Sequence, residues 1–497
     1  MKFAAKLLFF YGAAVFASAP DIKALSSQIP GGKLQLEFVL KLAIQKSSSF
    51  KALQSIAMDS EATRLGSEEL YDWTLLADYS YTDQDKDTLT PFEPGKIKKD
   101  NYSLGVRKYF STGTAFETKW GRSFNQIEFR DPTIQVPNYE DALSFSLKQS
   151  LWADFFGVSS RAQLRADQLA SQSLGHQYKI NQQNWALNLI DLYHRAWFSQ
   201  RQVIAAQESV ARRKRLLSVT QSKFQKGTTE KQDYLQIQAA SLSTENQLSQ
   251  ADAALNEVWR YLVISLDLPD SFLQIPADKV PMGLSDNSQR AFELCSQPVD
   301  YTKTFEVLKA EADRKSAEEQ LSSSSHQDNP KLDLVAGYNT NGIASSQNRA
   351  QRENLDQDFP SWNVGLQLEM PLGQSGSKSR KLRALSNELR SRTGFQTALD
   401  DKKIEVLTAC DKLKKAKAEL QNTETSFKNQ QERLELEERR FRLGRTSTFS
   451  VIQAGDDKSQ SEINYNQAQV DYRAASWKVL SATSQLYQIV EDWKKQL

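Results

Sequence analysis

Apolar residues recur at every seventh position along two stretches of the chain. Leu189, Ala196, Val203, Val210, Leu217 and Phe224 form one ladder. Leu385, Leu399, Val406, Leu413, Leu420, Phe427, Leu434 and Phe441 form the other, broken only by Arg392. A strict seven-residue period imposes a left-handed supercoil, so both ladders predict long helices that wrap around neighbours. No proline interrupts 154–225, and a helix of roughly 70 residues is about 105 Å long. Each ladder ends in a glycine turn, Lys226-Gly227-Thr228-Thr229 and Leu443-Gly444-Arg445-Thr446, and a second helix is expected after each, over 231–268 and from Phe449 to the C-terminus. Phe224-x-x-Gly227 returns as Phe441-x-x-Gly444, and 441 − 224 = 217 = 31 × 7, so the two copies share one heptad phase. The turns are read as the tips of two helical hairpins.

Elsewhere the period is two. Tyr71, Trp73, Leu75, Ala77, Tyr79 and Tyr81 alternate with polar residues, and similar alternation recurs at Tyr102–Val106, Phe116–Phe124, Leu143–Leu147, Leu332–Tyr338 and Trp362–Met370. Segments of about 9–11 residues with aromatics near their ends suit membrane-spanning strands; a soluble sandwich with one buried face would alternate in the same way. Leu34 to Leu65 reads as one helix, 269–298 as a proline-punctuated linker, and Thr302 to Leu321 as a short helix. Strands, long helix, glycine turn and helix thus occur twice, the pattern of an internal duplication. Neither half has the roughly eight strands of the smallest membrane barrels, and an open sheet edge cannot face lipid. If the strands span a membrane, several chains must share the barrel.

Composition narrows the function. The chain carries 63 basic and 61 acidic side chains, a net charge of +2, which argues against nucleic acid as a partner. Lys2 and Lys6 precede an apolar core from Leu7 to Phe16 and the small-residue run Ala17-Ser18-Ala19, the order of a secretory signal peptide. Beyond it no run reaches the ~20 apolar residues of a spanning helix. His176, His194 and His326 are isolated, so no metal site is expected, and no nucleotide or hydrolase motif appears; no enzyme activity and no cofactor is expected. Cys410 reads as a small buried hydrophobe and Cys295 as a linker residue, with nothing in their spacing to imply a bridge. Arg212-Arg213-Lys214-Arg215 reads as a solvated helix face rather than an acidic-partner contact. Lys378, Arg380, Lys381 and Arg383 would mark a barrel boundary on the same terms.

In this order, twice over, the motifs resemble those of the TolC-like outer-membrane efflux proteins across nearly all of the mature sequence. Leu34-Gln35-Leu36-Glu37 is similar to the start of the family's first helix, Asn329-Pro330-Lys331-Leu332-Asp333-Leu334 to the entry of its third strand, and Trp362-Asn363-Val364-Gly365-Leu366 to the strand that leaves its barrel. Phe224–Thr228 and Phe441–Thr446 resemble its repeated tip. The resemblance implies a mixed α and β fold: a homotrimer sharing one transmembrane β-barrel in outer-membrane lipid, joined to a coiled-coil periplasmic tunnel. It implies a passive exit duct whose tips, through Phe224, Lys226, Gly227, Thr228, Phe441, Arg442, Leu443, Gly444, Arg445 and Thr446, dock a periplasmic adaptor and through it an inner-membrane transporter. The implied plan is a signal peptide over 1–19, an N-terminal helix and equatorial segment over 20–69, strands with an extra hairpin over 70–152, a helical hairpin over 153–268, an equatorial linker and short helix over 269–330, strands over 331–372 and a second helical hairpin over 373–497.

Two departures stand out. The family usually supplies four strands per chain, but 86–140 adds a potential hairpin, Tyr102–Phe110 and Thr114–Phe124, turning at Ser111-Thr112-Gly113. It would either widen the barrel to six strands per chain or lie outside it. The outside position is the preferred reading, because Arg107, Lys108 and Arg122 would otherwise need lumen or interface places. The family's acidic ring after the second turn falls here on Ser450 and Gln453, so an acidic constriction would have to use Asp233, Asp456 or Asp457. A non-transporting coiled-coil spacer or adhesin is the alternative function; it would not explain the repeated strand block and matched tip.

Overall fold

The computed structural model describes residues 33–497 apart from 88, 91–92, 130–134, 276, 371 and 374, so the expected signal peptide lies outside the described residues. The chain divides into two compact units. One, here the helical unit, takes in residues up to Ser55, Tyr178–Phe305 and Asp400–Leu497; the other, the strand unit, takes in Ile56–Gln177 and Glu306–Leu399.

The helices are α1 (Leu36–Lys46), α2 (Ser48–Glu69), α3 (Val158–Gln225), α4 (Lys231–Ser265), α5 (Ser288–Ser296), α6 (Phe305–Gln327), α7 (Gln347–Leu355), α8 (Ser375–Arg442), α9 (Thr448–Ala482) and α10 (Gln485–Lys495). The helix expected over 34–65 is divided at Ser47, whose ψ of 125° leaves the helical region. The last helix is likewise divided, at Ser484, which takes the left-handed φ of 60° without being glycine. No helix among the described residues is long and apolar enough to cross a membrane. Ladder spacing sets the two long hairpins. Helices α3 and α8 each have 68 residues and α4 and α9 each have 35. All four of their boundaries differ by 217, from 375 − 158 to 482 − 265.

In the helical unit, α1 buries Leu36, Val39, Leu40 and Ala43 in a core with Ile190, Tyr193 and Ala196 of α3, Leu255 and Leu262 of α4, and Trp477 and Leu480 of α9. The irregular 277–283 segment is held to α3 by two side chains one heptad apart. The Tyr193 hydroxyl meets the carbonyls of Leu34 and Gly283, and Gln200 donates to the carbonyls of Ala277 and Val280 while accepting from the Met282 N–H. A second core joins α5 to α8 and α9 through Ala291, Val406, Leu413, Tyr472 and Val479. Here the reading of unpaired cysteines is corrected: Cys295 and Cys410 form a disulfide, 115 residues apart in sequence, with Cα atoms 5.7 Å apart. Helix α5 sets Cys295 on the α8 face that carries Cys410, a proximity that spacing along the chain cannot show. Closing so long a loop restricts the unfolded chain, for which about 2–4 kcal/mol is typical.

The strand unit is built on a six-stranded antiparallel sheet in the order β1 (Thr74–Asp85), β2 (Pro94–Phe110), β3 (Thr114–Phe129), β4 (Gln135–Ser150), β5 (Lys331–Ala344) and β6 (Phe359–Glu369). The extra hairpin supplies two of these six strands, β2 and β3. Strand β1 pairs along its whole length with β2, and β3 with β4, so β2 and β3 are central strands. The three cations that argued against this are each accommodated. Arg107 pairs with Glu117 at 2.7 Å, Lys108 reaches the Tyr71 carbonyl beside the Trp73 ring, and Arg122 pairs with Asp141 at 2.6 Å. The β2–β3 turn sits where Gly113 takes a φ of +71° and Gly157 approaches so closely that a Cβ there would lie 1.9 Å from the Ser111 carbonyl oxygen.

Directly opposed residues share a face, which divides the sheet cleanly. Leu75, Leu104, Phe145, Val364 and Leu366 lie on one face, largely exposed. The other carries Ser103, Asn125, Asn339 and the ion pairs Arg107–Glu117, Lys119–Asp78, Lys148–Asp333 and Lys331–Glu369. Helix α7, not foreseen from the sequence, packs on the apolar face against β4 and β5; a Cβ on Gly342 would lie 2.1 Å from the Ala350 carbonyl oxygen. In the same unit α6 packs on α3 through small residues, Ala162, Ala166, Ala312 and Ala317, with Ser316 donating to the Ala166 carbonyl at 2.8 Å.

One buried group of the helical unit responds to pH. His194 on α3 is 1% exposed and neither ring nitrogen has a hydrogen-bond partner among the described residues. Burial, reinforced by the Arg473 guanidinium, lowers its pKa from 6.5 to about 4. The unfolded chain therefore takes up a proton below 6.5 that the folded chain refuses, and stability falls as pH drops from 6.5 through about 4. That interval corresponds to about 3 kcal/mol. Thermal unfolding of the wild type and His194→Leu between pH 7 and pH 4 should show the wild type losing stability relative to the variant; parallel curves would mean that His194 does not fold as a buried neutral group.

Candidate functional site: the two hairpin tips

Both tips, in the helical unit, are closed by the same local hydrogen bonds. At the first, the Gly227 N–H donates to the Phe224 carbonyl and the Thr228 N–H to the Lys223 carbonyl, both at 2.9 Å. At the second, Gly444 donates to Phe441 at 3.1 Å and Arg445 to Arg440 at 2.8 Å. This pair of bonds, one spanning three residues and one five, is the Schellman motif, and it needs a left-handed residue at the turn. Gly227 and Gly444 supply it, each with a φ of +71°. Nothing lies within 4 Å of where a Cβ would stand on either. The glycines are thus required by backbone conformation and not by crowding. The departing helices start differently: Ser447 accepts from the Ser450 N–H as the N-cap of α9, whereas Thr229 donates to the Asp233 carboxylate at the head of α4.

The two phenylalanines are not equivalent. Phe441 is buried at 6% exposure, with the Lys223 ammonium 4.0 Å from its ring centroid and donating to its carbonyl. Phe224 is 37% exposed and stacks on Tyr234, centroids 5.5 Å apart. Phe427 stacks on Tyr465 in the same way at 5.7 Å. The midpoints of the pairs, 229 and 446, again differ by 217. Mirror spacing of aromatics about each turn is a signal that the seven-residue ladders leave out, because Tyr234 and Tyr465 lie on the departing helices. At the tips Lys226, Arg442, Leu443 and Arg445 are exposed, with Thr228 beside them and Thr446 half-buried. Lys226, Arg442 and Arg445 form no ion pair among the described residues.

The residues proposed for a constriction are placed as follows. Asp456 pairs with Arg213, which is 5% exposed and also donates to the Ile452 carbonyl at 3.1 Å. Asp457 pairs with Arg433 at 2.8 Å and accepts from Gln453 at 2.8 Å. Asp233 is engaged by Thr229 at 3.0 Å, and Ser450 lies within the α9 cap. The basic run is corrected here too. Its residues point to different partners around α3: Arg213 inward to α9, Arg212 to Glu208 and Ser459, and Lys214 to Glu245 on α4. Buried Lys458 completes the α3–α9 contact by meeting Glu208 at 3.3 Å and lying over the Phe427 ring. Just above the tips a groove of about 210 Å³ lies between α3, α8 and α9, with Leu216, Leu434 and Val451 on its floor and Arg215 and Arg442 on its rim.

Comparison with known proteins fits this geometry. The family described as outer membrane efflux protein matches residues 303–490. The fold is shared with the outer membrane protein VceC of Vibrio cholerae at a TM-score of 0.66 and 12% identity, covering 90% of this chain and 96% of that one. It is shared with the CmeC outer membrane channel of Campylobacter jejuni at 0.67 and 14%, covering 93% and 89%. The MtrE outer membrane channel of Neisseria gonorrhoeae, in its open state, gives 0.62 and 13%, covering 91% and 89%. At these identities the likeness is one of fold. No curated protein sequence gives a significant match.

The turn geometry can be tested directly. Gly227→Ala and Gly444→Ala should each cost about 1–2 kcal/mol through backbone strain alone, read as faster hydrogen exchange at the Thr228 and Arg445 amides. Unchanged exchange would mean that these turns do not depend on a left-handed residue.

Proposed function

We propose that the chain, which carries an outer membrane efflux protein domain over 303–490 within the fold of outer-membrane channels, is the passive exit duct of a tripartite efflux or type I secretion system. In this reading three copies share a barrel in the outer membrane, and the helical hairpins, left by an internal duplication, dock a periplasmic adaptor that links the duct to an inner-membrane transporter. The observation that carries the docking role is the pair of matched tips, whose hydrogen bonds are satisfied locally while Lys226, Arg442, Arg445 and Leu443 stay exposed. A disulfide agrees with an exported location. Exposed Leu235 and Leu242 on α4, and Ile404 and Leu407 on α8, are apolar groups that neighbouring copies would cover.

Photoreactive residues at Thr228 and Arg445 should capture the adaptor in cells, and the protein should fractionate with the outer membrane as a trimer in mild detergent. A soluble periplasmic monomer would overturn the reading. Capture from mid-helix positions but not from the tips would move the docking site.

We assign the constriction to the first turns of α9, through Ser450, Gln453, Asp456 and Asp457, and to Asp233 in the first turn of α4. Because Arg213 and Arg433 already compensate two of the three carboxylates, such a ring keeps one uncompensated carboxylate, Asp233, per copy at rest. Arg433→Gln should release the Asp457 charge and raise cation preference in bilayer recordings, while Asp457→Asn lowers it. If neither moves the reversal potential, Asp457 lies outside the constriction.

A further inference from the structure

The apolar face of the sheet shows what surrounds the inserted hairpin. Between the row of Lys108, Phe116, Leu147 and Ala336 and the row of Tyr81, Asp100, Phe124 and Tyr139, only Arg122 and Asp141 on this face are charged. Both are buried, Asp141 at 1% exposure, and α7 lies over them. Asp141 accepts from Arg122, from Trp120 at 2.9 Å and from Asn354 of α7 at 2.6 Å; Arg122 also donates to Gln351 of α7 at 3.1 Å. Helix α7 joins β5 to β6 at the end of the sheet away from α3 and exposes Arg349 and Arg352, so this row of the sheet belongs to its water-facing end. The pair is fully hydrogen-bonded within protein, and Arg122 is therefore no obstacle to β3 of the inserted hairpin standing in the wall.

The edges point the same way. Strands β1 and β6 leave a row of backbone groups unpaired, have nearly equal lengths of 12 and 11 residues, and run antiparallel to each other because six strands alternate in direction. The edge of one copy therefore fits the opposite edge of the next. We infer that β2 and β3 are wall strands, so that three copies of this chain close, β6 to β1, a barrel of eighteen strands (3 × 6). The inference rests on the duct reading and adds the size of its outlet. With strands about 4.8 Å apart and tilted about 40°, eighteen strands give a backbone diameter of about 36 Å. The twelve left without β2 and β3 would give about 24 Å, so the enclosed area rises about twofold. The polar face, with its cross-strand ion pairs of both signs, lines this outlet and admits bulky hydrophilic cargo of either charge.

Electron cryomicroscopy of the full-length assembly in lipid nanodiscs, viewed down the barrel, counts the wall. Eighteen strands in a trimer support the inference. Twelve strands with the hairpin outside the wall would overturn it and leave the duct standing; no barrel at all would overturn both. Thiol labelling gives a second readout, since the native cysteines are joined. Leu104→Cys should react with a lipid-phase probe and be shielded from an impermeant maleimide, while Asn101→Cys on the polar face should show the reverse. Equal maleimide labelling of both would place the hairpin in water and overturn the inference.

Discussion

Every backbone N–H and C=O inside a lipid bilayer has to find its partner within protein, because hydrocarbon offers none. In the proposed duct the strand unit is arranged around this constraint. Its sheet is a simple meander, so all internal strands are paired with sequence neighbours, and the unmet demand is concentrated on the two outer edges. An even number of strands makes those edges antiparallel, and a copy of the same chain is then the natural complement to each. Inserting a hairpin leaves this parity intact. Two strands can be added to the wall without altering how the chain enters α3 or how neighbouring copies meet, whereas a single added strand would reverse both.

Side chains follow from the same constraint. One face alternates aliphatic and aromatic residues, and the other gathers ion pairs that cross between adjacent strands. The exception, Arg122 with Asp141, is met by α7, which brings Asn354 and Gln351 to the pair and needs the bare backbone of Gly342 to come so close. Removing either charge would strand the other in a buried setting, where an unpaired ion costs about 3–5 kcal/mol.

Much of this was legible where a period survives in the sequence. The seven-residue ladders gave both hairpins, and the 217-residue offset located equivalent turns to the residue. What escaped depends on contacts that leave no periodic trace. Arg107, Lys108 and Arg122 read as charges that would need lumen or interface places, which is why the hairpin was expected outside the wall; the meeting of Arg122 with Asp141 across β3 and β4 is visible only in the register. Cys295 and Cys410 are brought together by the docking of α5 on α8. The breaks at Ser47 and Ser484 carry neither glycine nor proline, so local propensity gave no warning. The basic run hid a buried residue because Arg213, with Arg212 beside it, sits on the α9-facing side of α3, while Lys214 turns to α4.

Charge is used differently along the hairpins, and the difference bears on where a partner can act. Along the shafts, arginines and lysines are held by carboxylates or aromatic rings: Arg213 by Asp456, Arg433 by Asp457, Lys458 by Glu208 and Phe427, Lys223 by Phe441. These contacts tie α3 to α9 and α8 to its neighbours, so disturbing them would loosen the pairing of the two hairpins. At the tips the backbone closes itself through glycine, helped only by Thr228 and Lys223, which donate to the Lys223 and Phe441 carbonyls. Lys226, Arg442 and Arg445 are consequently free of structural duties. A partner that meets them gains charge and hydrogen-bond complementarity without breaking an existing contact, and exposed Leu443 and Phe449 give it an apolar footing close by. In the proposed duct, docking at the tips therefore leaves intact the ion pairs that compensate Asp456 and Asp457.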